Sequence, residues 1–218
     1  MMSDEEGVIK YQLNHTKKSI PDTFELEDLI ACRQNLVRKG LLGRDIKRYG
    51  GLGFGNVSRR LANDFAFVIT GSQTGHLPEL QREHFVVVSQ YQRISNTLTS
   101  YGLVKPSSES SAHALFYALS SEINAVIHVH SPDLWCYGAR AGLPATAASV
   151  PYGSLELLAE IEALWESQVF AHCPILVMLG HTDGVICFGP SLQDADVTLG
   201  KYWREARGSH RNDTDLRQ

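Results

Sequence analysis

The stretch I-N-A-V-I-H-V-H-S-P, residues 123–132, is the key to the chain. The apolar run Ala125 to Ile127 leads directly into His128, Val129 and His130. A short run of this kind predicts a buried strand over 125–130. Alternate side chains of a strand share a face, with their Cα atoms roughly 6.5–7 Å apart. His128 and His130 therefore lean toward one point, which is a chelating geometry. Two partly buried histidines satisfied by hydrogen bonds have the same pattern, so the pair alone leaves both readings open.

Around this strand, periodicity marks the other elements. Residues 24–39 read as a helix, with Leu26, Leu29, Ile30, Leu36 and Val37 on one face and Gly40 as its stop. The glycine-rich segment G-G-L-G-F-G-N-V-S covers 50–58. Strands over 57–61 and 65–69, joined by an Asn63-Asp64 turn, predict a hairpin. G-S-Q-T-G (71–75) reads as a loop and Phe85 to Val88 as a short buried strand. Pro106 and the serines of K-P-S-S-E-S-S open a helix from Lys105 to about Leu119. Leu158, Ile161 and Trp165 give residues 155–167 an apolar helical face. Strands at 175–179 and 185–188 flank the turn G-H-T-D-G (180–184). Ser191 with Asp194 caps a last helix through about Arg207. These elements predict an α/β fold with a largely antiparallel sheet, because the strands come in hairpin-like pairs. Residues 1–22 read as a flexible N-terminal arm, 23–208 as the domain, and 209–218 as a polar, frayed tail.

Composition narrows the function class. The chain has 218 residues, 43% of them hydrophobic, enough for one large domain with a substantial core. Its formal net charge of -4, with no basic block, argues against a nucleic-acid partner. The apolar runs, 175–179 among them, are too short to span a bilayer. M-M-S-D-E-E-G lacks the apolar centre of a secretory signal, so a cytoplasmic location is expected. Cys32, Cys136, Cys173 and Cys187 are scattered, which suits reduced thiols and not a cysteine-based zinc site.

His181, in a turn between two apolar strands, is the third candidate ligand; three histidines suit a catalytic zinc site with one open position. Glu109 falls in the first turn of a predicted helix. There it either stabilises the positive end of the helix dipole or, beside a divalent ion, serves as a general base. Gly55-Asn56, Thr74-Gly75 and Ser107-Ser108 supply small donors able to wrap a phosphate, although singly each is an ordinary turn. Asp183 either orients His181 or is a solvent-facing turn carboxylate. Trp135, Tyr137, Trp165 and Trp203 read as core or subunit contacts.

Taken in order, G-N-V-S, I-T-G-S-Q-T-G, K-P-S-S-E, A-V-I-H-V-H and a histidine turn before G-V-I resemble the class II aldolase/adducin family over about residues 24–207. The resemblance implies a three-layer α/β/α fold and a homotetramer with sites at subunit interfaces. It implies that His128, His130 and His181 ligate zinc, with manganese or cobalt as alternatives. Glu109 matches the acid/base, and Gly55, Asn56, Thr74, Gly75, Ser107 and Ser108 match the phosphate-binding segments. The implied activity is a class II lyase that cleaves a small phosphorylated sugar or sugar acid through a metal-stabilised enediolate. A 4-epimerase, dehydratase or decarboxylase using the same site is the near alternative; a non-catalytic scaffold like adducin is the distant one. This chain also departs from the family. Thr182 and Asp183 separate His181 from Gly184, and the T-G-S-Q-T-G loop has one extra residue. The family's tyrosine after H-x-H falls near Ala148 or Ser149 here, Tyr152 is not a clean match, and no tyrosine follows Tyr202.

Overall fold

The computed structural model describes residues 7–61 and 65–215, with side chains through Ser209. The predicted Asn63-Asp64 turn lies outside the described residues. In chain order the elements are β1 (Gln12–Lys17), α1 (Glu27–Arg38), β2 (Gly43–Arg44), β3 (Gly53–Phe54), β4 (Asn56–Arg60), β5 (Phe67–Thr70), β6 (Phe85–Gln92) and β7 (Thr97–Gly102). They continue with α2 (Ser110–Leu119), β8 (Ala125–His130), α3 (Pro132–Ala141), β9 (Ala145–Thr146), α4 (Leu155–Glu166), β10 (Ile175–Met178), β11 (Gly184–Gly189) and α5 (Leu192–Asp215). Nine strands form one sheet in the order β1-β7-β6-β5-β4-β8-β11-β10-β9, while β2 and β3 pair separately. Only the outermost pairs, β1 with β7 and β9 with β10, are parallel. The pairings between them are antiparallel, as the hairpin pattern predicts.

The period-2 alternation of the central strands sorts side chains onto two faces. Ala125, Ile127 and Val129 of β8 join Leu29 and Leu36 of α1, Leu134 of α3 and Leu199 of α5 in one core cluster. Val126 faces the other way, with Ile186 and Phe188 of β11, Leu115 and Phe116 of α2, and Leu158 and Ile161 of α4. The architecture is therefore three layers, helices on both faces of a central sheet. His128 and His130 share Val126's face and lie at the end of β8 in the middle of that sheet.

Several expectations need correction. Within the expected flexible arm, residues 12–17 form an edge strand, β1, in register with β7, Gln12 opposite Thr97 and Lys17 opposite Gly102. Its side chains are largely polar because an edge strand is anchored by backbone hydrogen bonds and needs little apolar surface. Tyr11, just before it, is buried. At the other end α5 continues to Asp215, past the expected stop near Arg207. The second helix starts at Ser110, not Lys105. The serines first close a turn, with the Ser110 hydroxyl donating to the Ser107 carbonyl at 2.7 Å, as short hydroxyl side chains do when they compete with helix backbone. Glu109 consequently stands immediately before the helix, not within its first turn. All four cysteines are free. Among the described residues no helix is long and apolar enough to cross a membrane.

Candidate active site

The backbone carbonyl of Val185, on neighbouring β11, can only accept a hydrogen bond. His128 Nδ1 lies 3.2 Å from it and must donate. This fixes the tautomer that leaves the Nε2 lone pair free, the usual backbone support for a ligating histidine. His128 Nε2 and His130 Nε2 are 3.2 Å apart. Two nitrogens on one tetrahedral zinc, each about 2.0–2.1 Å from the metal, would be separated by roughly 3.3–3.4 Å, so the pair is already at chelating distance. His181 comes from the turn between β10 and β11. That turn is closed by hydrogen bonds from His181 N–H to the Met178 carbonyl (3.0 Å) and from Gly184 N–H to the His181 carbonyl (2.9 Å). A Cβ at position 184 would sit 2.5 Å from the His181 ring, which is why glycine closes the turn. The His181 ring lies 5.4 Å from that of His128 and 4.7 Å from that of His130. One nitrogen from each of the three lies within 4.8 Å of the others.

Burial sets the charge of this cluster. All three histidines are buried, and loss of hydration disfavours their protonated forms. Burial pulls His128 down to about 4, against the weaker opposing effect of its bond to Val185. It holds His130 and His181 well below the usual histidine range, and the neighbouring imidazoles push both further. At neutral pH the cluster thus presents uncharged nitrogen donors, the form a divalent cation requires. Glu109 reaches it from the start of α2. It is buried, with Oε1 3.8 Å from His181 Nε2. Three neutral imidazoles and an adjoining carboxylate form a donor set that fits a divalent ion and leaves a base beside it.

The three small-residue segments meet in one polar cleft, which Gly55, Asn56, Thr74, Gly75, Ser107 and Ser108 all line. Asn56 Nδ2 donates to Ser107 Oγ at 2.8 Å, and Thr74 Oγ1 donates to the Gly71 carbonyl at 2.8 Å. Gly55 has φ +75°, and a Cβ there would lie 3.0 Å from the His128 carbonyl oxygen, so only glycine lets this loop lie on β8. Asn56 is the register partner of His128, which puts the cleft beside the histidine cluster.

Tyr49 and Arg48 join the site with no signal in the sequence pattern. Tyr49 sets its ring edge-on to His130, with centroids 4.6 Å apart, and donates its hydroxyl to Asp183 Oδ2 at 2.6 Å. Arg48 pairs with the same carboxylate at 3.4 Å. Asp183 is therefore not a solvent-facing turn residue; it ties the histidine turn to the 48–54 loop. Both Tyr49 (φ +49°) and Asp183 (φ +63°) occupy the left-handed region. Tyr152 is fully buried with its ring 4.6 Å from that of His181, and its hydroxyl accepts from Val8 N–H at 3.1 Å. Ala148 and Ser149 are exposed. Trp135 donates to the Met178 carbonyl at 2.8 Å and Trp165 packs on Phe170 and Phe188, both as structural contacts.

A sequence model of the class II aldolase and adducin N-terminal domain matches residues 45–199. Among solved structures, L-fuculose-1-phosphate aldolase from Thermus thermophilus is similar in fold at TM-score 0.62 and 15% identity, covering 87% of this chain and 94% of that one. A sugar-phosphate aldolase from Thermotoga maritima gives TM-score 0.62 at 16% identity over 85% and 93% of the two chains. YgbL from Klebsiella pneumoniae, for which aldolase, epimerase and decarboxylase are given as alternatives, gives 0.58 at 21% identity over 83% and 86%. No curated protein sequence matches the chain.

Proposed function

This chain belongs to the class II aldolase and adducin family, and we propose that it is a metal-dependent lyase for a small phosphorylated sugar or sugar acid. The observation that carries the proposal is the convergence of three buried, neutral imidazoles with a buried carboxylate 3.8 Å from one of them. His128, His130 and His181 hold the ion, with zinc the first expectation. A divalent ion there supplies Lewis acidity, stabilising negative charge on the substrate's oxygens as the carbon–carbon bond breaks. Glu109 takes a proton from the substrate and returns it, and its burial keeps bulk water from competing for that proton. Asn56, Thr74, Ser107 and Ser108, with the backbone at Gly55 and Gly75, bind the phosphate and set the register of the reacting carbons over the ligands.

A second reaction on the same site, epimerisation or decarboxylation, is supported by the likeness to YgbL. Fragment analysis separates the two, since only the lyase yields two carbon-containing fragments without loss of carbon dioxide. The primary test is elemental analysis of protein purified without chelator or nickel affinity, beside His128→Ala, followed by product analysis on a panel of sugar phosphates. A near-stoichiometric divalent ion that disappears in the variant, together with two carbon fragments, is the expected result. Absence of metal after zinc and manganese have been offered would end the lyase reading.

A further inference from the structure

We infer that Lys10, carried across the site by the N-terminal segment 7–11, is a specificity-determining residue that supplies the cationic contact to the substrate's phosphate. The inference rests on the phosphate reading of the cleft given above. The side chains of Asn56, Thr74, Ser107 and Ser108 are neutral donors, and no lysine or arginine is among the described residues lining the cleft. A phosphate held by neutral donors keeps its full charge, and a nearby ammonium adds both attraction and a shorter, stronger hydrogen bond.

Residues 7–11 are pinned to the site at both ends. Gly7 lines the cleft itself, beside Gln73. Tyr11, buried, donates its hydroxyl to the Ser107 carbonyl at 2.8 Å. Between them the Val8 N–H donates to the Tyr152 hydroxyl at 3.1 Å. The parallel pairing of β1 with β7 holds the segment from behind. Lys10 lies between these anchors. Its stem packs over Gly153, where a Cβ would come within 3.4 Å of it. Its Nζ sits 3.9 Å from the centroid of the Tyr152 ring, and that ring is 4.6 Å from the His181 ring. The ammonium thus lies exposed over the Tyr152 ring, on the segment whose Gly7 lines the cleft and whose Tyr11 holds the Ser107 carbonyl. Lys10 is the one cation of the 7–11 segment, which walls the cleft through Gly7.

The competing account is that Lys10 only braces Tyr152 through its cation–π contact. Titration calorimetry of the metal-loaded protein with inorganic phosphate separates the two. Lys10→Gln is expected to weaken phosphate binding by about tenfold or more and to flatten its salt dependence. Metal content stays at the wild-type value, and Lys10→Arg restores most of the affinity. Thr74→Val serves as the control on the cleft. If Thr74→Val weakens phosphate binding while Lys10→Gln binds as wild type does, Lys10 is a brace only and the inference fails with the phosphate reading intact. If metal-loaded wild type binds no phosphate, the phosphate reading fails and takes the inference with it.

Discussion

His128 and His130 reach the site from one strand, two residues apart, whereas Tyr49, Asp183, Tyr152 and Lys10 reach it from separate loops. The first pair forms the floor and the second group the walls. The floor lies in the most protected part of the molecule, with every residue of β8 buried and antiparallel neighbours on both sides. The walls are held by a few polar contacts on partly exposed segments. The difference separates two jobs. A metal site would need ligand geometry rigid to within tenths of an ångström, which a strand supplies, while residues that would face a substrate can sit on loops, whose length and sequence vary without disturbing the sheet.

Removing a floor ligand tests this division most severely. His128→Ala should take bound metal from about one ion per chain to none measurable by elemental analysis, with near-native circular dichroism. Retained stoichiometric metal would mean that the floor is not the metal site. Next in size is Glu109→Gln, expected to lower turnover by about 10²–10⁴-fold while leaving metal content unchanged; undiminished turnover on the true substrate would exclude Glu109 as the base. On the opposite face of the same strand, Ile127→Ala should cost about 2–5 kcal/mol of stability, read as a drop of roughly 5–15 °C in Tm, with metal stoichiometry unaffected.

The pH dependence of the metal-free protein probes the floor again. His128 is held near 4 in the fold against an ordinary value of 6.5, so the unfolded chain binds the extra proton between those values. Stability is therefore full above pH 6.5 and lost as pH falls toward 4. From His128 alone the loss between pH 7 and pH 5 is about 2 kcal/mol, visible as a Tm lower by roughly 4–8 °C. A flat melting profile over that range would mean the imidazole is not dry. The smallest effect is expected in the walls. Asp183→Ala removes the acceptor for Tyr49, costing about 1 kcal/mol, and should leave the metal stoichiometry intact. A Tm lower by more than roughly 8 °C, beyond what about 1 kcal/mol produces, would show that the wall is structural after all.

The floor was legible in the sequence because it obeys a local rule. Alternation along 125–130 put both histidines on one face, and a turn between two apolar runs put His181 within reach. The helices of both outer layers were readable from their apolar spacing where they were long. α3 was missed although Ser131, Pro132 and Gly142 carry its start and stop signals; the Ser131 hydroxyl does accept from Leu134 N–H at 3.3 Å. The short apolar stretch between those signals did not stand out as a helix. β1 and β7 carry little signal because their sequences are polar; β1's partner is also distant, whereas β7 pairs with β6 just before it in the chain. The family's ordered motifs identified the cleft segments. Nothing in the spacing tells that Tyr49 will pack on His130 or that Asp183 will receive its hydroxyl, since such contacts depend on how separate loops close over a finished sheet.

The parallel pairing of β1 with β7 bears on how the molecule comes into being. Residues 12–17 leave the ribosome long before 97–102 exist, and they have no other strand to pair with in the sheet. This early stretch therefore docks only across a long chain closure of the kind that slows folding. Until it docks, Tyr11 does not hold the Ser107 carbonyl, even if the three histidines have already converged. Amide exchange in a partly denatured chain should show β8, paired on both sides, protected while the edge strand β1 opens, and a bulky group introduced at Gly7 would stand in the cleft itself.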